Sequence, residues 1–342
     1  MGFIKALILV MMIFLSSVSY ATEEVGLYSE LPGNWRPFAD NSPWNTPIPA
    51  DVKVHPDSPL IMETVLSEAK NIRLAAEYIV PVWVIDSTKV DKVKVEGSKI
   101  FDRWDKDLDG WSDDAVPVTR DMWEEPTEDG HLCIIDPIKN IEWDFSAYRW
   151  LKKENNPLVN TFNIWQINGD GVCKPDAGKK WQYQGSRGSG FPLIAGLIRP
   201  QELQVGEIRH ALVFTFPKNR MAEGQMSVFM SPACRSDGKY EGNQYPVEGM
   251  RFQLDPALTE ADFDKWGLNR EGKVVARALQ KYGMFLGDNG GAMAIQVQLL
   301  GPSRLENRLK WEAFFSGFYK NVEKIPADKF RVVYTWENII KK

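Results

Sequence analysis

The stretch that decides the fold is Asp129-Gly130-His131-Leu132-Cys133-Ile134-Ile135-Asp136-Pro137, followed after a short turn by Ile141-Glu142-Trp143-Asp144-Phe145. Both segments are rich in β-branched and aromatic residues, which predicts two strands paired as a hairpin. A turn of even length places Asp144 on the face of His131 and Cys133, because side chains alternate along a strand. The opposite face is apolar and carries Leu132, Ile134, Ile141, Trp143 and Phe145. The sequence therefore predicts one titratable face and one face that packs against a second sheet.

Other short runs of β-branched and aromatic residues, separated by turn residues, predict further strands. These runs cover residues 78–86, 90–95, 116–119, 162–167, 208–216, 226–230, 250–254, 284–286, 292–299 and 331–336. Helical spacing of apolar residues predicts three helices, at 58 to about 73, 272–282 and 304–319. Because strands outnumber helices and do not alternate with them, we expect an all-β or β-rich α+β fold. An antiparallel β-sandwich or jelly roll with a few peripheral helices fits this pattern.

The first 21 residues are typical of an export signal, with Lys5 near the start, a short apolar run and small residues at Ser19 and Ala21. We expect cleavage after Ala21 and a periplasmic or extracellular protein; an uncleaved N-terminal anchor is the alternative. No other segment is apolar enough to predict a membrane span. Residues 22–342 are expected to form a single β-sandwich domain that begins with an extended leader rich in Pro and Trp, Leu31 to Pro49.

The charge, tryptophan content and cysteine count of the chain indicate which partners and which disulfide to expect. The net charge of -5 and the pI of about 5.5 give no basic footprint for nucleic acid, so we expect none as a partner. The 13 Trp residues favour sugar stacking, although most buried Trp only fills a core. Of the three cysteines, Cys173 and Cys234 lie in loop sequence, whereas Cys133 lies inside a strand. We therefore predict a Cys173–Cys234 disulfide.

An acidic segment suggests a structural calcium ion as the one possible cofactor. Asp105, Asp107, Asp109 and Gly110 spell D-x-D-x-D-G, and Asp113 takes the ninth position of a calcium loop. Alternating carboxylates supply hard oxygen ligands. The twelfth position is Val116 rather than Glu, so a solvated acidic hairpin is the alternative reading.

Two histidines are candidate catalytic groups. His131 shares its predicted face with Asp144 and lies near Glu142, and a neighbouring carboxylate fixes the imidazole tautomer and raises its basicity. A hydrogen-bonded structural histidine is the alternative. His210 points with apolar neighbours in strict alternation, which favours the core, whereas a position at the strand end would bring it to the rim.

Arg187 and Arg199 are candidate substrate-binding residues, together with Glu142. A guanidinium grips a uronate carboxylate through paired hydrogen bonds, although either arginine could equally close a salt bridge. Asp288 is a further catalytic candidate if it projects from a sheet rim. The following Asn289-Gly290 pair is also the favoured two-residue hairpin turn. Nucleophile elbows, phosphate loops, dinucleotide fingerprints and zinc spacings are absent from the sequence.

Several segments together resemble a family of exported bacterial β-rich proteins to which no activity is assigned. The resemblance rests on Gly130-His131 to Asp136-Pro137, Trp143-Asp144-Phe145, Pro192-Leu193-Ile194-Ala195-Gly196-Leu197-Ile198-Arg199-Pro200, His210-Ala211-Leu212 and Tyr282 to Gly290. It implies that His131, Asp144, Arg199, His210 and Asp288 belong to one recurring architecture. It implies no substrate, and the acidic loop at 105–114 is not part of the pattern.

These observations favour an exported enzyme that cleaves a polysaccharide in a groove on the polar sheet face. In a hydrolase, Asp144 with Asp288 or Glu142 would flank the glycosidic bond. In a lyase, Arg199 would neutralise a uronate while His131 or His210 removes the adjacent carbon-bound proton. The hydrolase is slightly favoured because carboxylates are plentiful. A non-catalytic glycan-binding or cell-surface protein is the alternative from another class, and the oligomeric state is open.

Overall fold

A computed structural model of the chain describes residues 27–28, 30–97, 115–173, 185–221, 228–334 and 339–341. The protein is rich in β-structure, with 27% of residues in strands and 20% in helices, as the sequence predicts. The predicted export signal and the calcium candidates Asp105, Asp107, Asp109 and Asp113 lie outside the described residues. Every helix in the described part of the chain is too short or too polar to cross a lipid bilayer.

The described helices are α1 (Ser58–Glu68), α2 (Pro200–Val205), α3 (Glu260–Lys265), α4 (Arg270–Lys281), α5 (Arg304–Phe314) and α6 (Phe318–Val322). The described strands are β1 (Leu27–Tyr28), β2 (Arg73–Leu74), β3 (Val80–Ile85), β4 (Lys92–Lys94), β5 (Glu96–Gly97), β6 (Ala115–Pro117), β7 (Leu132–Asp136), β8 (Ile141–Ser146), β9 (Arg149–Leu151), β10 (Asn156–Val159), β11 (Thr161–Gln166), β12 (Leu212–Phe216), β13 (Val228–Met230), β14 (Arg251–Leu254), β15 (Met284–Asn289), β16 (Ala294–Ile295), β17 (Gln298–Leu299), β18 (Phe330–Val333) and β19 (Ile339–Lys341).

Two mixed sheets make up most of the described fold. The first has the order β1-β3-β7-β8-β11, with β17 also paired to β3, and the second has the order β18-β14-β15-β12-β16-β2. The β3–β7 and β12–β15 pairs are parallel. Both parallel pairs follow long crossovers that contain other elements, which parallel pairing requires and which residue alternation does not reveal. The purely antiparallel sandwich expected from the sequence is therefore not what the sheets form.

The helices begin and end where capping and glycine allow. Helix α4 begins after Asn269, whose side chain accepts a hydrogen bond from the backbone N–H of Gly272. The predicted helix 304–319 is divided into α5 and α6 by Gly317, which has a φ of 71° that other residues rarely adopt. Helix α1 ends at Glu68, and Arg73, the last residue of its predicted range, lies in strand β2 instead.

The segment 185–199 lies between the two sheets and brings the candidate residues together. On one side, the backbone N–H of Ile194 donates to Glu142 of β8 at 2.9 Å. On the other side, Ser189 N donates to the carbonyl of Gly287 in β15 at 3.1 Å, and Val213 N of β12 donates to Gly196 O at 3.0 Å. The segment therefore covers the polar face of the first sheet and contacts the second sheet.

Candidate functional site

The β7–β8 hairpin has the register that the sequence predicts. Cys133 pairs with Asp144 and Ile135 pairs with Glu142, so these residues share one face with His131. The opposite face is buried in an apolar cluster that contains Trp143 and its neighbours Leu132, Ile134, Ile141 and Phe145. The division of the hairpin into a titratable and an apolar face is confirmed.

The titratable face is buried, so the solvent-exposed groove expected from the sequence is wrong. His131 is only 4% exposed, and both Glu142 and Asp144 are 0% exposed. The cause is the segment 185–199, which packs across this face and replaces water as the hydrogen-bond partner of the carboxylates. A polymer cannot reach these three side chains without displacing that segment. Glu142 and Asp144 are therefore poor candidates for direct attack on a glycosidic bond.

Asp144 is satisfied within the protein. Ser186 Oγ donates to Asp144 Oδ1 at 3.1 Å, and Trp165 Nε1 donates to Asp144 Oδ2 at 3.1 Å. Burial raises the pKa of Asp144 to about 6, although hydrogen bonds from Ser186 and Trp165 oppose the rise.

Glu142 is less well satisfied than Asp144. Its Oε1 accepts hydrogen bonds from Ile194 N at 2.9 Å and from Cys133 Sγ at 3.4 Å, whereas its Oε2 has no partner among the described residues. Burial, reinforced by the charge of Asp144, raises the pKa of Glu142 to about 8. Glu142 is therefore predominantly protonated and neutral at pH 7, and its lone Oε2 is the natural position for the proton.

A stability prediction follows from Glu142. A carboxyl with a raised folded-state pKa stabilises the fold below its unfolded value, and this contribution is lost as the pH rises through about 8. We expect the melting temperature of the native protein to fall between pH 5 and pH 9, and to fall less in Glu142→Gln, which stays neutral. Calorimetric melting curves across this range test the prediction; equal slopes for both proteins would contradict it.

His131 and Arg187 continue the buried network. His131 Nδ1 has no hydrogen-bond partner within the described ranges. Burial, followed by the positive charge of Arg187, lowers the pKa of His131 to about 3, so the imidazole is neutral at pH 7. Arg187 is 1% exposed and donates from Nη2 to the carbonyl of Leu193 at 2.9 Å. Its charge interacts with Asp288, Glu142 and Asp144.

The network reaches the surface at Asp288, which is half-buried. Gly188 N donates to Asp288 Oδ2 at 3.0 Å. Desolvation, reinforced by the charge of Asp237, raises the pKa of Asp288 to about 7. Asp288 and Asn289 lie within β15, and β15 pairs with β12 rather than with β16. The two-residue hairpin turn suggested by Asn289-Gly290 is therefore not formed.

A second carboxylate, that of the exposed Asp237, approaches Asp288 over Gly188. A Cβ added to Gly188 would lie 2.6 Å from Asp288 Oδ1 and 2.7 Å from Asp237 Oδ1. The two oxygens are therefore separated by no more than the sum of these distances. Because a side chain at position 188 would collide with both carboxyl groups, glycine allows them to approach each other this closely.

Two buried residues, Asn219 and Glu248, are linked by hydrogen bonds to the backbone of Asp288. Asn219 Nδ2 donates to the carbonyl of Asp288 at 2.9 Å and to Glu248 Oε1 at 3.2 Å. Glu248 is fully buried, and burial, followed by its hydrogen bond with Asp237, raises its pKa well above the usual range. Asn219 therefore holds the backbone that carries the Asp288 carboxyl.

Arg199 and His210 belong to a different buried network. Both bind the same oxygen of Glu202, with Arg199 Nη2 at 3.1 Å and His210 Nε2 at 2.9 Å from Oε1. Arg199 also donates to the carbonyl of Trp35, and His210 Nδ1 lies 2.9 Å from the carbonyl of Ala211. Both side chains are 2% exposed. Both side chains hydrogen-bond to Glu202 in the first turn of helix α2. The expectation that they bind or deprotonate a substrate is therefore not supported.

The remaining candidates are structural. A disulfide joins Cys173 and Cys234, the pair that the sequence predicts, and Cys133 is a buried free thiol. Within the described ranges, no group of three or more His, Cys, Asp and Glu residues is arranged to hold a metal ion. Sequence reasoning missed Asp237, Gly188, Asn219 and Glu248, because no spacing in the chain links them to Asp288. The turn-like Arg235-Ser236-Asp237-Gly238 was the only local signal.

No family model, no curated protein and no solved structure matches this chain. The resemblance to exported bacterial β-rich proteins stays a prediction from the motifs quoted above. The carboxylate pair and the residues behind it are therefore the basis for assigning a function.

Proposed function

We propose that the protein is an exported glycoside hydrolase that cleaves a polysaccharide between Asp237 and Asp288. The observation that carries this proposal is the approach of an exposed carboxylate to a half-buried one across Gly188. Glycosidases use two such groups, one on each side of the scissile bond. Asp288 replaces Asp144 and Glu142 as the central carboxyl because it reaches the surface.

The surroundings of the two carboxyl groups suggest their roles. A pKa of about 7 leaves a large fraction of Asp288 protonated at neutral pH, as a general acid requires. Asp237 is exposed and suits the role of nucleophile. Inverting enzymes place the two carboxyl groups about 6.5–9.5 Å apart and retaining enzymes about 5–5.5 Å apart, and the upper limit set by Gly188 lies below the wider spacing. We therefore expect hydrolysis with retention of the anomeric configuration.

Aromatic rings near Asp237 support a sugar substrate. Tyr240 follows Asp237 by three positions, is 36% exposed and lies with its ring centroid 4.9 Å from that of Tyr245. Aromatic faces suit the apolar faces of pyranose rings. The disulfide supports export, because such bonds persist in oxidising compartments, and it agrees with the signal predicted at residues 1–21.

The test is to incubate the purified protein with neutral and uronic polysaccharides while following new reducing ends and ultraviolet absorbance. A hydrolase releases reducing ends without the absorbance of an unsaturated uronate. Release of that chromophore would replace the hydrolase by a lyase. Binding without any cleavage across the panel would support a glycan-binding protein and overturn the proposal.

The activity should depend on pH in a defined direction. Because protonated Asp288 is the active form of the acid, we expect kcat to fall as the pH rises above about 7. A pH profile of kcat on a cleavable glycan measures this limb. An activity that rises through pH 8 would exclude Asp288 as the acid.

A further inference from the structure

A cavity lies on the same sheet as the proposed catalytic pair and is bordered by the loop that follows Asp288. It has a volume of about 390 Å³, within the range of small-molecule sites, and Gly291 and Ala292 form part of its wall. The rest of its lining comes from residues 68–73, at the end of helix α1 and in strand β2, and from Glu323. Gly291 and Ala292, which line the cavity, therefore follow Asp288 by only three and four residues.

The strand register of the second sheet relates Asp288 to Arg73, which lines the cavity. Asp288 pairs with Thr215, Thr215 pairs with Ala294, and Ala294 pairs with Arg73. Paired residues on neighbouring strands point to the same face of a sheet. Three strand spacings separate Arg73 from Asp288, a distance of about 14 Å between backbones. Thr215 and Ala294 are buried, and Thr215 Oγ1 donates to the carbonyl of Ala292 in the loop at 3.4 Å. A few linked sugar rings span the distance over the surface of this loop.

The charges in the cavity favour an anionic group. Lys70 and Arg73 are exposed and, within the described part of the chain, have no acidic partner within ion-pair distance. Of the two acids in the lining, Glu68 is paired with Lys218 at 2.5 Å. Glu323 is therefore the one acid of the lining that no described cation neutralises. Two available cations, one of them a guanidinium, suit a carboxylate.

We propose that this cavity is a subsite for an acidic sugar, and that Lys70 and Arg73 bind the carboxylate of a uronate unit in the polysaccharide. The inference rests on the proposed function, because it treats Asp237 and Asp288 as the place of cleavage. The subsite would then select uronate-containing glycans over neutral ones.

Direct binding tests the subsite separately from catalysis. The probes are trigalacturonate and maltotriose, titrated calorimetrically into the full chain carrying Asp288→Asn, which is expected to slow turnover strongly. We expect trigalacturonate to bind more tightly than maltotriose, and Lys70→Ala/Arg73→Ala to raise its Kd about tenfold. The matched control is Arg308→Ala/Lys310→Ala on α5, which removes the same charge from exposed positions outside the cavity.

The outcomes distinguish the two proposals. An unchanged Kd in the Lys70/Arg73 double variant, or a preference for maltotriose, overturns the subsite. An equal loss in the Arg308/Lys310 control also overturns it, because net charge would then explain the binding. Selective binding of trigalacturonate combined with no cleavage of any glycan would support the subsite and overturn the hydrolase.

Discussion

Replacing Asp288 with Asn is expected to lower kcat by a factor of about 10²–10⁴, the usual contribution of general acid–base catalysis. The amide cannot deliver a proton to the leaving oxygen. It can still accept the hydrogen bond from Gly188 N, which now reaches Asp288 Oδ2 at 3.0 Å. Because Asn resembles the protonated carboxyl in shape and charge, the melting temperature should stay close to that of the native protein. Initial rates of reducing-end release, with calorimetry in parallel, measure both quantities.

Asp237 has a separate signature. If Asp237 is the nucleophile, Asp237→Gly should be inactive alone, and azide should restore cleavage of an activated glycoside to give a glycosyl azide of inverted configuration. Asp328→Asn, which changes an exposed aspartate elsewhere, should leave kcat unchanged. Full activity in either Asp288→Asn or Asp237→Gly would remove the carboxylate pair from the mechanism.

Replacing Glu202 with Ala should cause the largest loss of stability, about 3–5 kcal/mol, because it leaves a buried guanidinium without its counter-charge. Arg199 and His210 both contact Glu202 Oε1, and all three side chains are almost fully buried. Burial alone would raise the pKa of Glu202, but the charges of Arg199 and His210 outweigh it and hold the pKa below its usual range. Denaturant titration at pH 7 measures the loss.

The pH dependence and a control make this result specific. The charged form of Glu202 stabilises the fold above its unfolded pKa near 4.5, and this contribution is lost as the pH falls through the lower folded-state pKa. The cost of Glu202→Ala should therefore shrink in acid. Glu207→Ala, five residues away and more than half exposed, should change stability by less than about 0.5 kcal/mol. Similar losses for both variants would show that the buried network is not the cause.

The local features of the candidate site could be predicted, and its accessibility could not. Alternation along the hairpin correctly placed His131, Cys133, Glu142 and Asp144 on one face. The same alternation could not show that the segment 185–199 covers that face. A polar residue gives the same sequence pattern whether its side chain is hydrogen-bonded to water or, as Asp144 is, to Ser186. The hairpin candidates His131, Glu142 and Asp144 are therefore buried, and so are Arg199 and His210.

The grouping of the candidates was also beyond the sequence. His131 and His210 were considered for one chemistry, yet His210 bonds to Glu202 whereas His131 lies beside Arg187. The capping box of helix α2, Arg199 to Glu202, is a local pattern that assigns these residues to a helix start. The sequence does not announce this pattern, because the N-cap residue of a capping box is usually Ser or Thr rather than Arg.

The sequence by itself determined the β-rich class, the hairpin register, the two faces of the hairpin and the cysteine pair, because each follows from residue type and local alternation. Tertiary structure alone decided the parallel pairing of β3 with β7 and of β12 with β15. It also decided which polar residues are buried and that Asp237 meets Asp288 over Gly188. These features depend on how distant segments pack, and the free energy of that packing is shared among many contacts rather than written in any short stretch.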